Sequence, residues 1–125
     1  MNARVVHFEV PFDDGDRARD FYRQVLDWRI TTMPGMGYTG VSTGPTDDSG
    51  MPNEPGYIGG GMLQRQAPAT APVITVAVDD IDATLVAVEE HGGTTVRGRE
   101  PVGDMGFAAY FTDSEGNVMG LWENA

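Results

Sequence analysis

The chain opens with an apolar run that leads into a polar turn. Residues 5–12 are rich in β-branched and aromatic side chains, which predicts a strand. Apolar side chains occur on both faces of this strand, as in a strand covered on both sides. The acidic segment 13–16 predicts a turn, because a carboxylate there can accept the unpaired amide hydrogens of a first helical turn. A helix is therefore expected to start directly after it.

This helix is predicted to have one apolar face. Its apolar residues recur at i, i+3, i+4, i+7 and i+8, which is the spacing of a single helix face. They are Ala18, Phe21, Tyr22, Val25 and Leu26. The residues left for the solvent side are Arg17, Arg19, Asp20, Arg23 and Gln24. The apolar face is expected to pack against a sheet.

Three more strands are predicted in the first half of the chain. They cover 28–33, 38–43 and 57–66. A turn is predicted at 34–37, and the Gly-, Pro-, Asp- and Asn-rich segment 44–56 predicts a mobile loop. The last strand contains three consecutive glycines, 59–61, which let a strand bend or let a backbone or ligand approach closely. The two prolines of 67–72 indicate a stiffened linker.

The second half of the chain repeats this order of elements. A predicted strand at 73–78 leads into a second acidic pair, Asp79-Asp80, and a helix that ends before Gly92-Gly93. The helix covers 81–91, and the strands after it cover 94–97, 107–112 and 118–123, with a turn at 113–117. The acidic pair lies 66 positions after Asp13-Asp14, so the two halves align on their turns. Each half therefore predicts a βαβββ module.

The repeat predicts an α+β fold in a single domain that spans residues 1–125. Module one covers about 4–66, the linker 67–72, and module two about 73–124. Neither half is large enough to be expected to be stable alone. We expect the two βαβββ modules to form a curved mixed sheet around a central cleft.

Composition narrows the function classes. Eight Lys and Arg against nineteen Asp and Glu give a formal net charge of −11, which disfavours nucleic acid as a partner. The charge is typical of a solvated acidic surface, and it also favours a cationic small molecule. The absence of cysteine excludes disulfides and thiolate metal sites. Without an apolar run of membrane-spanning length or a signal-peptide pattern, we expect a soluble cytoplasmic protein that does not bind membranes.

Four segments together carry a family resemblance. They are His7-Phe8-Glu9-Val10, the helix end Phe21-Tyr22 with Val25-Leu26-Asp27-Trp28, Val78-Asp79-Asp80-Ile81-Asp82-Ala83, and Asp113-Ser114-Glu115-Gly116-Asn117-Val118. In these segments the chain resembles the vicinal oxygen chelate superfamily, which contains glyoxalase-like and bleomycin resistance protein-like members. The resemblance implies paired βαβββ modules that handle a small molecule. It implies no single reaction, because this superfamily carries unrelated chemistries on one scaffold.

In metal-dependent members of the superfamily, the resemblance places ligands at four strand positions. The first falls on His7. The other three fall near 60–62, on Val73 and on Gly120, where no side chain ligates well. Glu123, three residues after Gly120, is expected to point to the opposite face of its strand. The resemblance therefore implies a degraded metal site.

Neighbouring residues could rebuild such a site. Glu9 lies on the strand face of His7, so both side chains could reach one ion. A third ligand would come from Gln64 or from a partner subunit. No cofactor is certain; a divalent nickel, cobalt, zinc, manganese or iron ion is expected only if the site is rebuilt in this way.

Strand alternation predicts the residues that line the cleft. They are His7, Glu9, Met62, Gln64, Val73, Thr75, Gly120 and Trp122. The set joins a polar edge to an apolar and aromatic wall, as small-molecule pockets do. His7 and Glu9 are the candidate catalytic residues, as an acid–base pair in which Glu9 orients the imidazole. Enolisation or epimerisation beside a carbonyl is the natural reaction class for such a pair.

Three functions stay open from the sequence. The chain is expected to bind or transform a small metabolite or natural product, and if it is an enzyme, a lyase or isomerase of glyoxalase type is expected. The alternative is a metal-free resistance-type protein that sequesters its ligand, which the missing metal ligands and the charge of −11 favour. The second alternative is a metal-dependent lyase or isomerase with a rebuilt site. The resemblance also implies a homodimer.

Overall fold

The computed structural model describes residues 2–33 and 37–125, and for Met33 the backbone alone. The predicted turn at 34–37 therefore lies largely outside the described residues. The elements are β1 Val5–Phe12, α1 Gly15–Leu26, β2 Arg29–Met33, β3 Tyr38–Ser42, β4 Gly59–Gln64, β5 Val73–Ala77, α2 Ile81–Glu90, β6 Thr94–Val102, β7 Gly106–Thr112 and β8 Val118–Asn124. This order confirms the predicted α+β class and the two βαβββ modules.

The chain forms two compact units. The N-terminal unit is His7–Pro72, and the C-terminal unit is Val73–Ala125 together with the residues that precede His7. Within the described residues, neither α1 nor α2 is long and apolar enough to cross a membrane.

Both units have the same strand topology. In the N-terminal unit β1 pairs in parallel with β4, and β3 pairs antiparallel with β4 and β2. In the C-terminal unit β5 pairs in parallel with β8, and β7 pairs antiparallel with β8 and β6. The first strand of each unit thus lies beside the last one. The sequence repeat is a repeat of topology.

The two acidic turns cap the two helices. Asp14 Oδ1 accepts a hydrogen bond from the amide of Arg17 at 3.0 Å, and Asp80 Oδ1 accepts one from the amide of Ala83 at 2.9 Å. Both residues have extended backbone angles, as N-cap residues do. The capping predicted from the acidic pairs is confirmed.

The sheet-facing side of α1 differs from the predicted one. Ala18 and Tyr22 pack against a core of Ile30, Val41 and Met62. The predicted face was wrong at three positions, because Phe21, Val25 and Leu26 are 56%, 60% and 49% exposed.

Arg19, predicted on the solvent side, turns inward instead. Its guanidinium lies 5.7 Å from the ring centre of Phe12 and donates to Thr39 Oγ1 at 3.4 Å. Tyr22 stacks on Trp28 with ring centres 4.9 Å apart. The side of α1 that contacts the sheet is therefore rotated away from the purely apolar stripe.

The C-terminal unit follows the predicted pattern closely. Ile81 and Leu85 of α2 are buried against Ala109 and Leu121, with Phe107 and other apolar side chains around them. Strand β6 runs to Val102, beyond its predicted end, and its pairing with β7 contains two register shifts.

Candidate functional site

His7 and Glu9 project from the same face of β1. The register pairs His7 with Gly59 and Glu9 with Gly61 on the parallel neighbour β4. Since side chains of a strand alternate between its two faces, residues two apart share a face. Both side chains are partly buried. The register therefore places the imidazole and the carboxylate on one strand face.

A third residue, Tyr38 of β3, joins the pair. Its hydroxyl lies 2.7 Å from His7 Nε2 and donates to Glu9 Oε2 at 3.3 Å. The His7 and Tyr38 rings are nearly parallel, with an interplanar angle of 17° and centres 6.3 Å apart. We call His7, Tyr38 and Glu9 the polar cluster. It lies wholly within the N-terminal unit.

Gly61 makes the space that Tyr38 occupies. A Cβ built on Gly61 would overlap the phenol ring and hydroxyl of Tyr38. On the opposite face of β4, a Cβ on Gly60 would overlap the ring of Phe8. The glycine run was predicted to permit a close approach, and the groups that approach are these two aromatic side chains.

The hydroxyl of Tyr38 has one hydrogen and lies within hydrogen-bond distance of both His7 and Glu9. A carboxylate only accepts hydrogen bonds, so a hydroxyl that donates to Glu9 leaves its own oxygen to accept from His7. That arrangement assigns the proton of a neutral imidazole to Nε2. Burial lowers the pKa of His7, and the charge of Glu9 partly opposes this shift. The imidazole of His7 is therefore neutral at neutral pH.

Two predicted cleft residues lie elsewhere in the N-terminal unit, which corrects the prediction. Met62 pairs with Val10 in the parallel register, so it faces the side of α1, where it is fully buried in the core. Gln64 follows on the same face and donates to the backbone carbonyl of Asp13 at 3.2 Å. The predicted assignment of β4 residues to the two faces of the strand was therefore shifted by one residue. The residues of β4 on the side of His7 and Glu9 are Gly59, Gly61 and Leu63.

The other four predicted cleft residues belong to the C-terminal unit and share one face there. They are Val73, Thr75, Gly120 and Trp122. Thr75 pairs with Gly120, and a Cβ on Gly120 would lie 2.6 Å from Thr75 Oγ1. Val73 and Thr75 are buried. Trp122 donates from Nε1 to Asn124 Oδ1 at 2.9 Å.

The donor set does not fit a divalent metal. Within 2–33 and 37–125, no group of three or more His, Cys, Asp or Glu side chains is placed to hold an ion. Gln64, the third ligand considered from the sequence, lies on the other face from His7. Two side chains fall short of the three or four protein ligands of typical zinc sites.

The carboxylate of Glu123 makes contacts within the C-terminal unit. Its Oε1 accepts from the amide of Ile81, the first residue of α2, at 2.8 Å, and Arg99 Nη2 donates to its Oε2 at 2.9 Å. Its strand neighbour Phe107 packs against the core beneath α2. The expectation that Glu123 points away from the face of Gly120 agrees with these contacts.

The chain is similar in sequence to one family model and to one longer relative. The family model described as bleomycin resistance protein-like N-terminal matches residues 4–44. CFP32 of Mycobacterium bovis, provisionally named a glyoxylase, is 30% identical over 118 residues, which are 88% of this chain and 41% of CFP32. The chain thus spans less than half the length of this relative.

Two solved structures have a similar fold. A glyoxalase/bleomycin resistance protein/dioxygenase superfamily member from Vibrio splendidus matches with a TM-score of 0.62 at 15% identity, over 99% of this chain and all of the other. A methylmalonyl-CoA epimerase variant from Streptomyces coelicolor, in complex with 2-nitronate-propionyl-CoA, matches with a TM-score of 0.65 at 16% identity. That match covers 100% of this chain and 96% of the epimerase. At these identities the likeness shows the fold alone.

Proposed function

We propose a function for this chain on the premise that it has the glyoxalase-like fold of the vicinal oxygen chelate superfamily, as the resemblance of its sequence predicted. The protein binds a small molecule that contains a carbonyl group at the polar cluster. It moves a proton on the carbon next to that carbonyl without using a metal. Glu9 is the base, and His7 supports the cluster as a neutral hydrogen-bond donor.

One observation carries this proposal: a carboxylate, a phenol and a neutral imidazole meet at a single oxygen, Tyr38 Oη. A base that removes a proton beside a carbonyl works best next to groups that can donate to the carbonyl oxygen. The cluster offers both kinds of group within one face of one sheet. The reaction class is enolisation, and epimerisation or isomerisation would be its outcome.

The name of one structural neighbour supports this class. That protein is a methylmalonyl-CoA epimerase, seen with a CoA ester. A CoA ester carries several phosphate charges, which a chain of net charge −11 would repel. We therefore propose a neutral or cationic carbonyl compound as the ligand of this chain.

The test is exchange of carbon-bound hydrogen. Dihydroxyacetone is neutral and carries exchangeable hydrogens beside its carbonyl, so its deuterium uptake in D₂O can be followed by ¹H NMR. Wild-type protein should accelerate the uptake, and Glu9→Gln and His7→Ala should abolish the acceleration. Glu100→Gln and His91→Ala are the matched controls, on exposed residues of the C-terminal unit, and should exchange as wild type does. Retained exchange in both cluster variants would refute the site.

A second candidate is sequestration without turnover. The match of residues 4–44 to the bleomycin resistance protein-like model and the charge of −11 favour it. Under this alternative, titration calorimetry with bleomycin, a cationic drug, should show saturable binding, and mass spectrometry should recover the drug unchanged. Saturable binding of bleomycin together with no exchange of dihydroxyacetone would favour sequestration over the enzyme.

A homodimer in the cytoplasm completes the proposal. The exposed Phe21, Val25 and Leu26 of α1 give a surface that a second subunit could cover. Light scattering coupled to gel filtration would give the mass directly. A monomer at micromolar concentration would contradict the dimer and leave the site proposal unaffected.

A further inference from the structure

We infer that Tyr38 is a further catalytic residue, whose hydroxyl turns from Glu9 to the carbonyl oxygen of the bound molecule and holds the enolate that forms there. This inference rests on the proposed function and assigns the donor that the reaction needs. Neither the sequence pattern nor the comparisons single out Tyr38.

The two hydrogen bonds of Tyr38 are unequal. The distance to His7 Nε2 is 2.7 Å, whereas the distance to Glu9 Oε2 is 3.3 Å. Hydrogen bonds from a hydroxyl to an oxygen are usually 2.7–2.8 Å long, so the bond to Glu9 is stretched and weak. It is the contact that a better-placed carbonyl oxygen can replace at little cost.

The short bond to His7 keeps the phenol in place during that exchange. With Nε2 of His7 donating, the oxygen of Tyr38 is held and its hydrogen is the part left to turn. The ring of His7 lies nearly parallel to the phenol, and Gly61 leaves the space that the phenol occupies. A donor held before the substrate arrives stabilises developing charge without reorganising.

The step balances in atoms and charge. A C–H bond next to the carbonyl breaks, and its proton goes to a carboxylate oxygen of Glu9. The electron pair of that bond forms the new C=C bond, and the carbonyl oxygen becomes an enolate oxygen that accepts the hydrogen bond of Tyr38. Return of the proton from Glu9 to the carbon restores the carbonyl. No oxidant or reductant is required.

The turn of the Tyr38 hydroxyl also changes the hydrogen bonding of Glu9. While Tyr38 donates to Oε2, that oxygen has part of its accepting capacity taken. Once the hydroxyl turns to the ligand, Oε2 of Glu9 no longer accepts a hydrogen bond from Tyr38. Ligand binding thus ends the contact between Tyr38 and the base at the same moment that it recruits the oxygen donor.

The test compares Tyr38→Phe with Tyr57→Phe. Both remove one hydroxyl that is hydrogen-bonded within the N-terminal unit, and Tyr57 binds Pro45 and Asn53 of the 44–56 loop, outside the polar cluster. Tyr38→Phe should slow deuterium uptake into saturating dihydroxyacetone by about 100-fold or more, as loss of one oxyanion donor does. Tyr57→Phe should exchange at the wild-type rate.

A conservative replacement separates catalysis from support of the fold. A fluorinated tyrosine at position 38 keeps the hydroxyl and makes it more acidic, so it should restore exchange and shift the pH profile of the rate to lower pH. If Tyr38→Phe and the fluorinated protein exchange equally, the hydroxyl plays no part in the reaction and the inference fails.

The outcomes also separate this inference from the proposed function. Normal exchange by Tyr38→Phe beside loss in Glu9→Gln would overturn the role of Tyr38 alone. Normal exchange by both Glu9→Gln and His7→Ala, or no exchange by wild-type protein, would overturn the proposed function and this inference with it.

Discussion

The phenol of Tyr38 fills the space above Gly61 that the Cβ of any other residue would occupy. These two residues lie on neighbouring strands, where Gly61 pairs with Gly40, two positions after Tyr38. The missing side chain lets an aromatic ring cross β4 and reach two residues of β1. Gly61 is in this sense part of the site, although it contributes no chemical group.

Substitution of Gly61 should therefore dismantle the cluster. Gly61→Ala forces the Tyr38 ring away from His7, and overpacking at a filled position costs about 1–3 kcal/mol of unfolding free energy. Urea unfolding should show this loss, and the ring signals of His7 in NMR spectra should move. Gly98→Ala is the matched control, because it is also a strand glycine and nothing lies within 4 Å of a Cβ built there. An equal effect of both variants would contradict the role of Gly61.

The burial of His7 predicts a pH dependence of stability. Its folded pKa lies below 6.5, so below that pH the unfolded chain takes up a proton that the folded protein does not. The free energy of unfolding should therefore fall as the pH drops from 6.5 towards the folded pKa. His7→Gln should remove this part of the dependence, as measured by urea unfolding at a series of pH values. An unchanged slope in the variant would refute it.

Glu9 should act on His7 through its charge. Because the carboxylate raises the pKa of His7 against the effect of burial, Glu9→Gln should lower that pKa further. NMR titration of the imidazole signals measures this directly. A rise in the pKa of His7 in Glu9→Gln would contradict the arrangement of the cluster.

Met62 should behave as a core residue. It is fully buried beneath α1, so Met62→Ala should cost about 2–5 kcal/mol of unfolding free energy. Phe21→Ala is the comparison on α1 itself: Phe21 is more than half exposed, so the change should stay within about 0.5 kcal/mol. Chemical unfolding of both variants gives the two values. A larger loss of stability in Phe21→Ala than in Met62→Ala would instead support the helix face that the sequence predicted.

Glu123 should stabilise α2 in a pH-dependent way. The hydrogen bond from Arg99 and then the amide of Ile81 hold the pKa of this carboxyl below its usual 4.5. Its contribution is therefore present above pH 4.5 and is lost as the pH falls through the lower folded value. Glu123→Ala should lower the urea midpoint more than Glu123→Gln, whose amide oxygen still accepts from Ile81. Equal midpoints would show that the helix cap is unimportant.

The sequence was sufficient for the fold because the local signals agree with each other. The acidic pairs 66 positions apart cap the two helices, and the same strand order follows each of them. The sequence was insufficient to predict which face of α1 is buried. The spacing of apolar residues does not reveal that Arg19 lies over Phe12 and takes an inward position.

The candidate site could be predicted only in part from the sequence. His7 and Glu9 could be paired from the two-residue period of one strand, whereas Tyr38 reaches them across β4. Its place depends on the parallel pairing of β1 with β4, a contact between segments about fifty residues apart that no local pattern fixes. The glycine run was the one feature of the sequence that indicated a close approach to β4. It did not indicate which side chain would approach.

The central claim, that a small molecule binds at the polar cluster, has a direct test in the ring signals of the histidines. The chain contains two histidines, His7 in the cluster and His91 at the end of α2, so their signals are easily assigned with one variant. Addition of dihydroxyacetone should shift the His7 signals in a saturable way and leave those of His91 in place. Saturable shifts at His91 with none at His7, or no saturable shift at either, would contradict the account.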